Sequence, residues 1–246
     1  MMLAEKYVNG ICKWLREVME SQGEKIQRAS EIIAESIMKD GVLHVFGTGH
    51  TMILAEEVFY RAGSLAAVNA MLDNGVSVRF GGIKSSQMER LEGYAKIIIG
   101  NYDVRPREVI IVLSNSGRNS VPIEMAIEAK KKGLTVIAVT SLAFSNCVPS
   151  RHSSGKYLFE VADLVIDNNV PPGDATMRIG DFPQKMGPIS TIVNATILHT
   201  IIMQACQIML EKGVTPPVWM SANLEGGDEF NLRHISRYKI RAKHLL

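Results

Sequence analysis

The chain has 246 residues, of which 46% are hydrophobic and 21% are charged. This balance is typical of a globular domain with a substantial core, and it excludes a disordered chain or a small disulfide-stapled protein. The 27 basic and 25 acidic residues leave a formal charge of +2, which is too little for the broad cationic face of a nucleic-acid-binding protein.

The cysteines and the N-terminal segment favour a cytoplasmic location. Cys12, Cys147 and Cys206 are far apart and odd in number, so they suggest neither a disulfide framework nor a thiolate zinc site. Glu5 and Lys6 stand where a secretory signal would need its apolar centre. We therefore expect a protein of the reducing cytoplasm that is not exported.

Residues 189–210 form an uncharged stretch that is long enough to cross a bilayer. Polar side chains interrupt it throughout, among them Ser190, Asn194 and Gln204. The pattern predicts a helix buried in protein and no membrane partner. Because a surface helix of a monomer carries more solvated positions, the stretch also predicts a homo-oligomer.

Apolar spacing predicts strands that alternate with helices along the chain. Two helices are expected within residues 1–40, ending at the Asp40-Gly41 pair. Short β-branched runs, with a weaker one at 65–71, predict buried strands. The predicted elements after residue 40 are, in chain order, strand 42–46, helix 52–62, strand 65–71, helix 86–100, strand 109–113, helix 121–132, strand 135–140, strand 164–166 and helix 189–210.

This alternation is typical of βαβ units on a parallel sheet, so the predicted fold class is α/β and doubly wound. Long loops are expected over 141–187 and 213–227, where proline and glycine recur. Asp228 is placed to cap a last, basic helix, whose charges would form a solvated face, a subunit arm or a partner contact.

The chain shows no internal repeat and no linker that would separate independent domains. We therefore predict a single domain over 1–246. Its parts are the N-terminal helices at 1–40, a core at 41–212 and a C-terminal extension at 213–246.

A glycine turn follows the first predicted strand, at the edge where open parallel sheets bind ligands. Gly47 and Gly49 let backbone N–H groups approach an anion, and the helix that begins after His50 and Thr51 offers its positive end. A dinucleotide fingerprint would need a glycine in place of Met52. The turn therefore predicts a phosphate or oxyanion cradle, with a plain strand-to-helix turn as the alternative.

A second turn, rich in hydroxyl and amide side chains, follows the most apolar predicted strand. Capping of the next helix accounts for one such side chain but not for three serines and two asparagines. Together these groups can surround a tetrahedral dianion with donors and need no metal. The predicted phosphate-binding residues of this turn are Ser114, Asn115, Ser116, Gly117, Asn119 and Ser120.

The two turns, in the segments VLHVFGTGHT and VIIVLSNSGRNS, resemble those of the SIS (sugar isomerase) domain family. Residues 91–126 look most like bacterial phosphoheptose isomerases, a looser likeness extends over residues 30–212, and the whole chain is similar to stand-alone SIS proteins of uncharacterised function. The resemblance implies a flavodoxin-like α-β-α sandwich with five parallel strands that binds a phosphosugar. It also implies a homodimer or homotetramer whose subunits share active sites.

The same resemblance implies roles for loop residues. Thr51 stands at the position of the family's first-loop hydroxyl, and residues 114–116 match its phosphate loop. This loop carries one extra residue before its last hydroxyl, so either Asn119 or Ser120 takes that place.

Catalytic residues carry over only in part. His199 matches the family's histidine on the last core helix, whereas its other histidine and its glutamate correspond to Glu57 and Arg61. Aldose–ketose isomerisation needs a base and an acid with pKa values near neutrality, so Glu57 and His199 are the predicted catalytic pair. Glu56 is the neighbouring candidate. The alternatives are a solvated glutamate and a core histidine.

The remaining polar candidates are weaker. His152 and Asp174 follow predicted strands and are secondary candidates for closing over a sugar, although loop polarity alone predicts such residues. His44 alternates with apolar residues in a strand, and we interpret it as structural. No spacing of histidine, cysteine and carboxylate residues indicates a metal site, and no cofactor is expected.

The sequence therefore predicts a phosphosugar-binding protein, and aldose–ketose isomerisation similar to that of phosphoheptose isomerases is the first hypothesis. An amino-sugar-phosphate lyase or etherase would use the same site. The alternative from another class is a non-catalytic phosphosugar sensor. Regulators that contain such sensors need a DNA-binding domain, and residues 1–40 show no helix-turn-helix pattern.

Overall fold

The structure, a computed structural model, describes residues 2–246 as a β-sheet between two layers of helices, with a small separate hairpin. The strands are β1 (Leu43–Gly47), β2 (Val68–Met71), β3 (Val109–Leu113), β4 (Thr135–Thr140), β5 (Leu164–Asp167), β6 (Ala175–Met177) and β7 (Met186–Pro188). The helices are α1 (Leu3–Met38), α2 (Met52–Val58), α3 (Gly82–Met88), α4 (Tyr94–Gly100), α5 (Ser120–Lys131), α6 (Leu142–Asn146), α7 (Leu158–Val161), α8 (Ser190–Glu211) and α9 (Gly227–Tyr238).

The main sheet has the order β2-β1-β3-β4-β5, and its neighbouring strands all pair in parallel. Successive side chains of a strand point to opposite faces, and both faces are buried. Along β3, Ile110 and Val112 join the core beneath α4 and α5, whereas Ile111 and Leu113 join the core beneath α1, α2 and α8. The predicted α/β fold with a five-stranded parallel sheet is confirmed.

The N-terminal region is one helix, so the prediction of two helices is wrong. α1 runs for 36 residues without a break, and its buried positions include Val18, Gln22 and Ile26. Gln22 interrupts the apolar periodicity, but its Oε1 accepts a hydrogen bond from the Asp167 backbone N–H at 3.1 Å. Because this polar side chain has a partner in the sheet, the helix continues through the point where the sequence predicts a break.

The helix predicted over 86–100 is divided into α3 and α4. Gly93 lies between them with φ of 83°, a left-handed backbone that favours glycine, and its N–H donates to both carboxylate oxygens of Glu124 at 2.8 Å. Over 141–187, where the sequence predicts loops around one strand, the structure adds α6, α7 and the antiparallel β6–β7 hairpin. These elements are too short for their periodicity to indicate them.

By length and composition, helix α8 is apolar enough to cross a membrane, with a mean hydropathy of 1.4. Within its most apolar part, 44% is buried inside the protein. Its inner face packs on α1 and the sheet, as predicted for a helix buried in protein. Its outer face exposes Ile192, Met203 and Leu210 within the chain. The outer face therefore has the composition of a contact surface rather than of a solvated helix.

The C-terminal segment is anchored in the core by a buried ion pair. Arg241 Nη2 lies 2.5 Å from Glu108 Oε1, and Arg241 Nε lies 2.8 Å from Asp103 Oδ2. Glu108 Oε2 lies 3.0 Å from Nε2 of the buried His44, so the structural interpretation of that histidine agrees with its position. Burial would raise the pKa of Glu108, but the hydrogen bonds with His44 and Arg241 outweigh it and lower the pKa. At Arg241 the basic tail is therefore neither a solvated face nor a free arm.

We expect Arg241→Met to lower the free energy of unfolding by about 3–5 kcal/mol, because the buried carboxylate of Glu108 loses its partner. Denaturant titration at neutral pH measures this difference. The control Arg237→Met removes an exposed ion pair with Asp40, and it should change the free energy of unfolding by less than about 1 kcal/mol. Equal effects of the two variants would contradict the anchoring role.

The effect of Arg241→Met should also depend on pH. Because the pKa of Glu108 is lowered in the folded state, its contribution is present at neutral pH and is lost as the pH falls through that lowered pKa. The difference between wild type and variant should therefore shrink in acid.

Candidate functional site

A cleft of about 650 Å³ opens beyond the carboxyl ends of β1 and β3. The sheet order reverses between these two strands, so the loops that follow them run in opposite directions and leave a crevice. Eight of the sequence-predicted site residues line this cleft: Gly49, His50, Thr51, Ser114, Asn115, Ser116, Asn119 and Asp174. The lining does not include Gly47, Glu56, Glu57, Gly117, Ser120, His152 or His199.

The first loop needs both of its glycines. A Cβ at Gly47 would lie 2.6 Å from the carbonyl oxygen of Thr51, a distance that only a backbone shift could relieve. Gly49 has φ of 58°, and its N–H donates to the Val76 carbonyl at 2.8 Å. These glycines therefore shape the loop, and the N–H of Gly49 has a partner within the chain.

The hydroxyl of Thr51, a predicted phosphate ligand, makes hydrogen bonds within the protein. Its Oγ1 lies 2.7 Å from the Thr48 carbonyl and 3.1 Å from the Leu113 carbonyl, and it accepts the Thr48 N–H at 3.0 Å. Leu113 is the last residue of β3. Thr51 therefore ties the first loop to the strand that carries the second loop.

The second loop presents donors that have no partner in the part of the chain that the structure describes. Ser114 Oγ accepts the Gly117 N–H at 3.2 Å, which holds the turn closed. The hydroxyl of Ser116 and the backbone N–H groups of Asn115 and Ser116 make no hydrogen bond within residues 2–246. Because these groups lie at the cleft, they are available to a bound anion.

Two other asparagines hold the Asn115 side chain in place. Asn115 Oδ1 accepts hydrogen bonds from Asn168 Nδ2 at 2.8 Å and from Asn194 Nδ2 at 3.1 Å, and the latter two residues are fully buried. Asn168 Nδ2 also donates to Asn194 Oδ1 at 2.9 Å. With its oxygen fixed in this cluster, the Asn115 side-chain NH₂ is the group left for a ligand.

Asn119 and Ser120, the alternatives for the last loop position, differ in location. Asn119 lines the cleft. Ser120 is fully buried, and its Oγ lies 3.5 Å from the carbonyl of Arg151, at the limit of a hydrogen bond. The structure thus brings Asn119, and not Ser120, to the cleft.

Glu89 is a cleft residue that sequence reasoning missed. It follows α3 and its carboxylate accepts hydrogen bonds from both loops, from Thr48 Oγ1 at 2.9 Å and from Asn119 Nδ2 at 2.7 Å. Burial raises the pKa of Glu89, and this effect outweighs the hydrogen bond from Thr48 and the charges of Arg90 and Arg151, which lower it. A carboxylate whose pKa is shifted towards neutrality is suited to proton transfer.

Asp174 lies at the cleft but is occupied with a structural task. Its Oδ1 accepts the backbone N–H groups of Ile189 and Ser190 at 3.0 and 2.8 Å, and its Oδ2 accepts the Ser190 hydroxyl at 2.6 Å. These bonds satisfy the first donors of α8. Asp174 therefore fixes the start of α8 beside the cleft.

The predicted catalytic pair forms, but on another surface. Glu57 Oε1 lies 3.2 Å from His199 Nε2, across the contact between α2 and α8, and Arg61 pairs with the same carboxylate at 3.1 Å. Both side chains of the pair are about one-third exposed, at 34% and 33%. Within one chain the structure does not bring either residue to the cleft, because α2 turns this face away from its loop.

The secondary candidates Glu56 and His152 also lie outside the lining. Glu56 pairs with Arg79 at 2.5 Å. His152 gathers with Glu92 and Glu124, so that one ligand atom of each lies within 4.8 Å of the others, a convergence that sequence spacing did not show. The carboxylate of Glu92 accepts two hydrogen bonds from Ser153, so this cluster already fastens a surface loop.

Residues 6–141 match the model of the SIS domain family. A UPF0309 protein of Caldanaerobacter subterraneus subsp. tengcongensis is 45% identical over 246 residues, covering 99% of this chain and 100% of its own. A UPF0309 protein of Geobacillus kaustophilus is 40% identical over 239 residues, covering 97% of this chain and 95% of its own.

Solved structures with a similar fold include phosphoheptose isomerases. Those from Francisella tularensis and Neisseria gonorrhoeae each superimpose with a TM-score of 0.54 at 17% identity, and both alignments cover 84% of this chain. They cover 100% and 98% of the isomerase chains. At this identity the likeness shows a shared fold.

We expect Glu89→Gln to leave the free energy of unfolding at pH 8 unchanged or higher than in the wild type. The folded-state pKa of Glu89 lies above the ordinary value of 4.5, so the ionised carboxylate opposes folding once the pH exceeds that value, and a neutral amide removes this opposition. Denaturant titrations between pH 4 and pH 8 measure the difference. If the variant lost more stability at pH 8 than at pH 4, the raised pKa would be contradicted.

Proposed function

Because the chain belongs to the SIS-domain family and to the UPF0309 proteins, we propose that its cleft binds a sugar phosphate and that it is a sugar-phosphate aldose–ketose isomerase. Two loops that follow neighbouring strands converge on this cleft, and the unpartnered donors of the second loop support phosphate binding most directly. The solved phosphoheptose isomerases share its fold, and this likeness supports the proposed reaction class.

In this proposal the second loop holds the phosphate. The donors are the Ser116 hydroxyl, the N–H groups of Asn115 and Ser116 and the Asn115 side-chain NH₂, and α5 begins directly after the loop with its positive end towards it. A phosphate dianion accepts several such hydrogen bonds at once. The phosphate would replace water at donors that have no partner in the described chain, so the loop needs little rearrangement to bind it.

Glu89 is the proposed proton carrier. In an aldose–ketose isomerisation a base removes the proton from the carbon next to the carbonyl, and the same group returns it to the neighbouring carbon after an enediol forms. Both oxygens of Glu89 accept hydrogen bonds from cleft residues, which fix the direction of the carboxylate. The imidazole of His50, on the opposite loop, is the proposed donor to the carbonyl oxygen, and it accepts the proton of the neighbouring hydroxyl when that oxygen becomes the new carbonyl.

In this proposal the Glu57–His199 pair contributes to a contact between two copies of the chain. The pair lies beside the exposed apolar face of α8, where Met203 is 62% exposed and Ile192 is 39% exposed. If two copies meet along α8, His199 enters a contact that is continuous with the start of α8 at the cleft. Glu57 would then hold the imidazole in position rather than act as the base.

We expect Ser116→Ala to weaken binding of a sugar phosphate by about 1.5–3 kcal/mol, the contribution of one hydrogen bond to a charged group. The ligand is the sugar phosphate that raises the unfolding midpoint most in a thermal-shift screen, and calorimetry measures its affinity. Ser86→Ala is the matched control, because Ser86 lines the cleft away from the loop. Equal affinity in Ser116→Ala and wild type would remove the phosphate loop from the proposal.

We expect Glu89→Gln to reduce solvent deuterium incorporation next to the carbonyl of that ligand by about 10²–10⁴-fold, the usual contribution of a general base. Binding, which the serine loop carries, should survive. Glu57→Gln should lower the rate less, and Glu56→Gln, which breaks only the pair with Arg79, should leave it nearly unchanged.

Two outcomes would contradict this assignment. Exchange lost in Glu57→Gln and retained in Glu89→Gln would move the base to α2. Exchange absent from the wild type on a tightly bound sugar phosphate would favour a non-catalytic sensor.

We expect sedimentation at micromolar concentration to show a homo-oligomer, because α8 exposes apolar side chains along its outer face. Met203→Lys should shift the equilibrium towards a species of 27.1 kDa, since burying an unpaired charge in the contact is unfavourable. Ile97→Lys is the control, because Ile97 is as exposed as Met203 but lies on α4, on the other face of the sheet. A stable wild-type monomer would refute the shared-site arrangement.

A further inference from the structure

A surface loop, residues 147–157, lies across the second loop of the cleft. The N–H of Arg151 donates to the Arg118 carbonyl at 2.8 Å, and Arg151 Nη1 donates to Asn119 Oδ1 at 2.9 Å. Asn119 in turn donates to Glu89, and both of these residues line the cleft. Arg151 is thus hydrogen-bonded to a residue that lines the cleft.

These contacts gather positive charge. Arg90 follows Glu89 in the sequence, Arg118 precedes Asn119, and Arg151 contacts Asn119 directly. Burial and then the charges of Arg118 and Arg90 lower the pKa of Arg151, whereas the charge of Glu89 raises it, so the other two cations both lie near Arg151.

No carboxylate in residues 2–246 forms an ion pair with any of the three guanidinium groups. Arg118 is half-buried, and its Nε is buried without a hydrogen-bond partner in the described chain. Glu89 is the carboxylate whose charge acts on Arg151, but its oxygens accept hydrogen bonds from Thr48 and Asn119 and not from an arginine. A buried donor without a partner opposes folding, and the side chains of Arg90 and Arg151 are exposed to solvent, so an anion that binds between these arginines would give Arg118 Nε its missing acceptor.

We propose that Arg90, Arg118 and Arg151 form a second anion site, which binds a phosphate group next to Asn119 at the border of the cleft. Guanidinium groups donate to phosphate in pairs and suit it better than other cations do. The phosphate group is carried either by a doubly phosphorylated sugar or by free phosphate as an effector. Binding of a doubly phosphorylated sugar rests on the proposed function, whereas binding of free phosphate does not.

The effect on the chemistry follows from the connection through Asn119. A phosphate that neutralises Arg151 changes the charge next to the hydrogen bond that Asn119 makes with Glu89, and Arg151 is one of the cations that lower the pKa of Glu89. Filling the second site should therefore make the Glu89 carboxylate more basic.

The test compares four proteins: wild type, Arg118→Gln, Ser116→Ala and Arg16→Gln. Arg118 has no hydrogen-bond partner for its side chain in the described chain, so Arg118→Gln should fold without phosphate at least as stably as the wild type. Arg16→Gln removes the same charge from an exposed position on α1 and is the control. Arg90→Gln serves as a second variant of the site if Arg118→Gln is poorly soluble.

Inorganic phosphate is the first probe, and its effect on the unfolding midpoint is measured at constant ionic strength against chloride. Wild type and Arg16→Gln should show two binding phases. Arg118→Gln should lose one of them, with affinity lowered about tenfold or more, and Ser116→Ala should weaken the other. Loss only in Ser116→Ala, with Arg118→Gln binding as wild type, would overturn the second site. Loss only in Arg118→Gln would uphold the second site and refute the serine-loop proposal.

Fructose 6-phosphate and fructose 1,6-bisphosphate then distinguish the two sources. If the bisphosphate binds more tightly and Arg118→Gln removes only that advantage, the second phosphate belongs to the substrate. If inorganic phosphate binds together with the monophosphate and only the Arg118→Gln variant loses it, the site takes a separate effector. If phosphate competes with the monophosphate in every variant, there is no second site.

Discussion

The reversal of strand order between β1 and β3 determines where this protein can hold a ligand. Here the chain leaves β1 towards β2 and later leaves β3 towards β4 on the opposite side, so the loops after β1 and β3 diverge and leave a crevice. Gly47 allows the first loop to turn tightly, and Thr51 fastens that loop to the end of β3. The two loops therefore form one rigid rim, and a ligand at the rim meets donors whose positions the sheet already fixes.

Buried polar contacts hold the two loops of the rim in position. Asn168 and Asn194 are fully buried, and their amides are used to orient Asn115. Glu89 is bonded to one residue of each loop, so its carboxylate joins the two sides of the cleft while burial disfavours its charge. Such arrangements lower the stability of the free protein and are typical of binding and catalytic sites. The buried Nε of Arg118, which has no hydrogen-bond partner in the described chain, is of the same kind.

Much of the fold could be predicted from the sequence because the strands are buried on both faces and read as continuous apolar runs. The two loops that line the cleft could be predicted because glycine, serine and asparagine stand directly after such runs. Glu89 could not, since its contact with Thr48 joins residues 41 positions apart and α3 has no apolar period that would orient it. The continuity of α1 was missed because Gln22, a polar residue, occupies a core-facing turn and bonds to the sheet.

The position of the Glu57–His199 pair shows a further limit of sequence reasoning. The two residues were predicted to act together, and they do contact each other at 3.2 Å. Spacing along α2 could not show that this face points away from the cleft of its own chain. Whether a residue serves its own cleft or that of a second copy is decided by a contact between chains, and a single sequence carries that information only as exposed apolar side chains on α8.

We propose that the two loops after β1 and β3 close around a phosphate group. Amide hydrogen exchange, followed by mass spectrometry with and without a bound sugar phosphate, tests it most directly. With the sugar phosphate bound, we expect slower exchange at the N–H groups of residues 115–119 and in the turn at 48–51, with little change on α9. Protection elsewhere in the chain, with unchanged exchange in both loops, would contradict it.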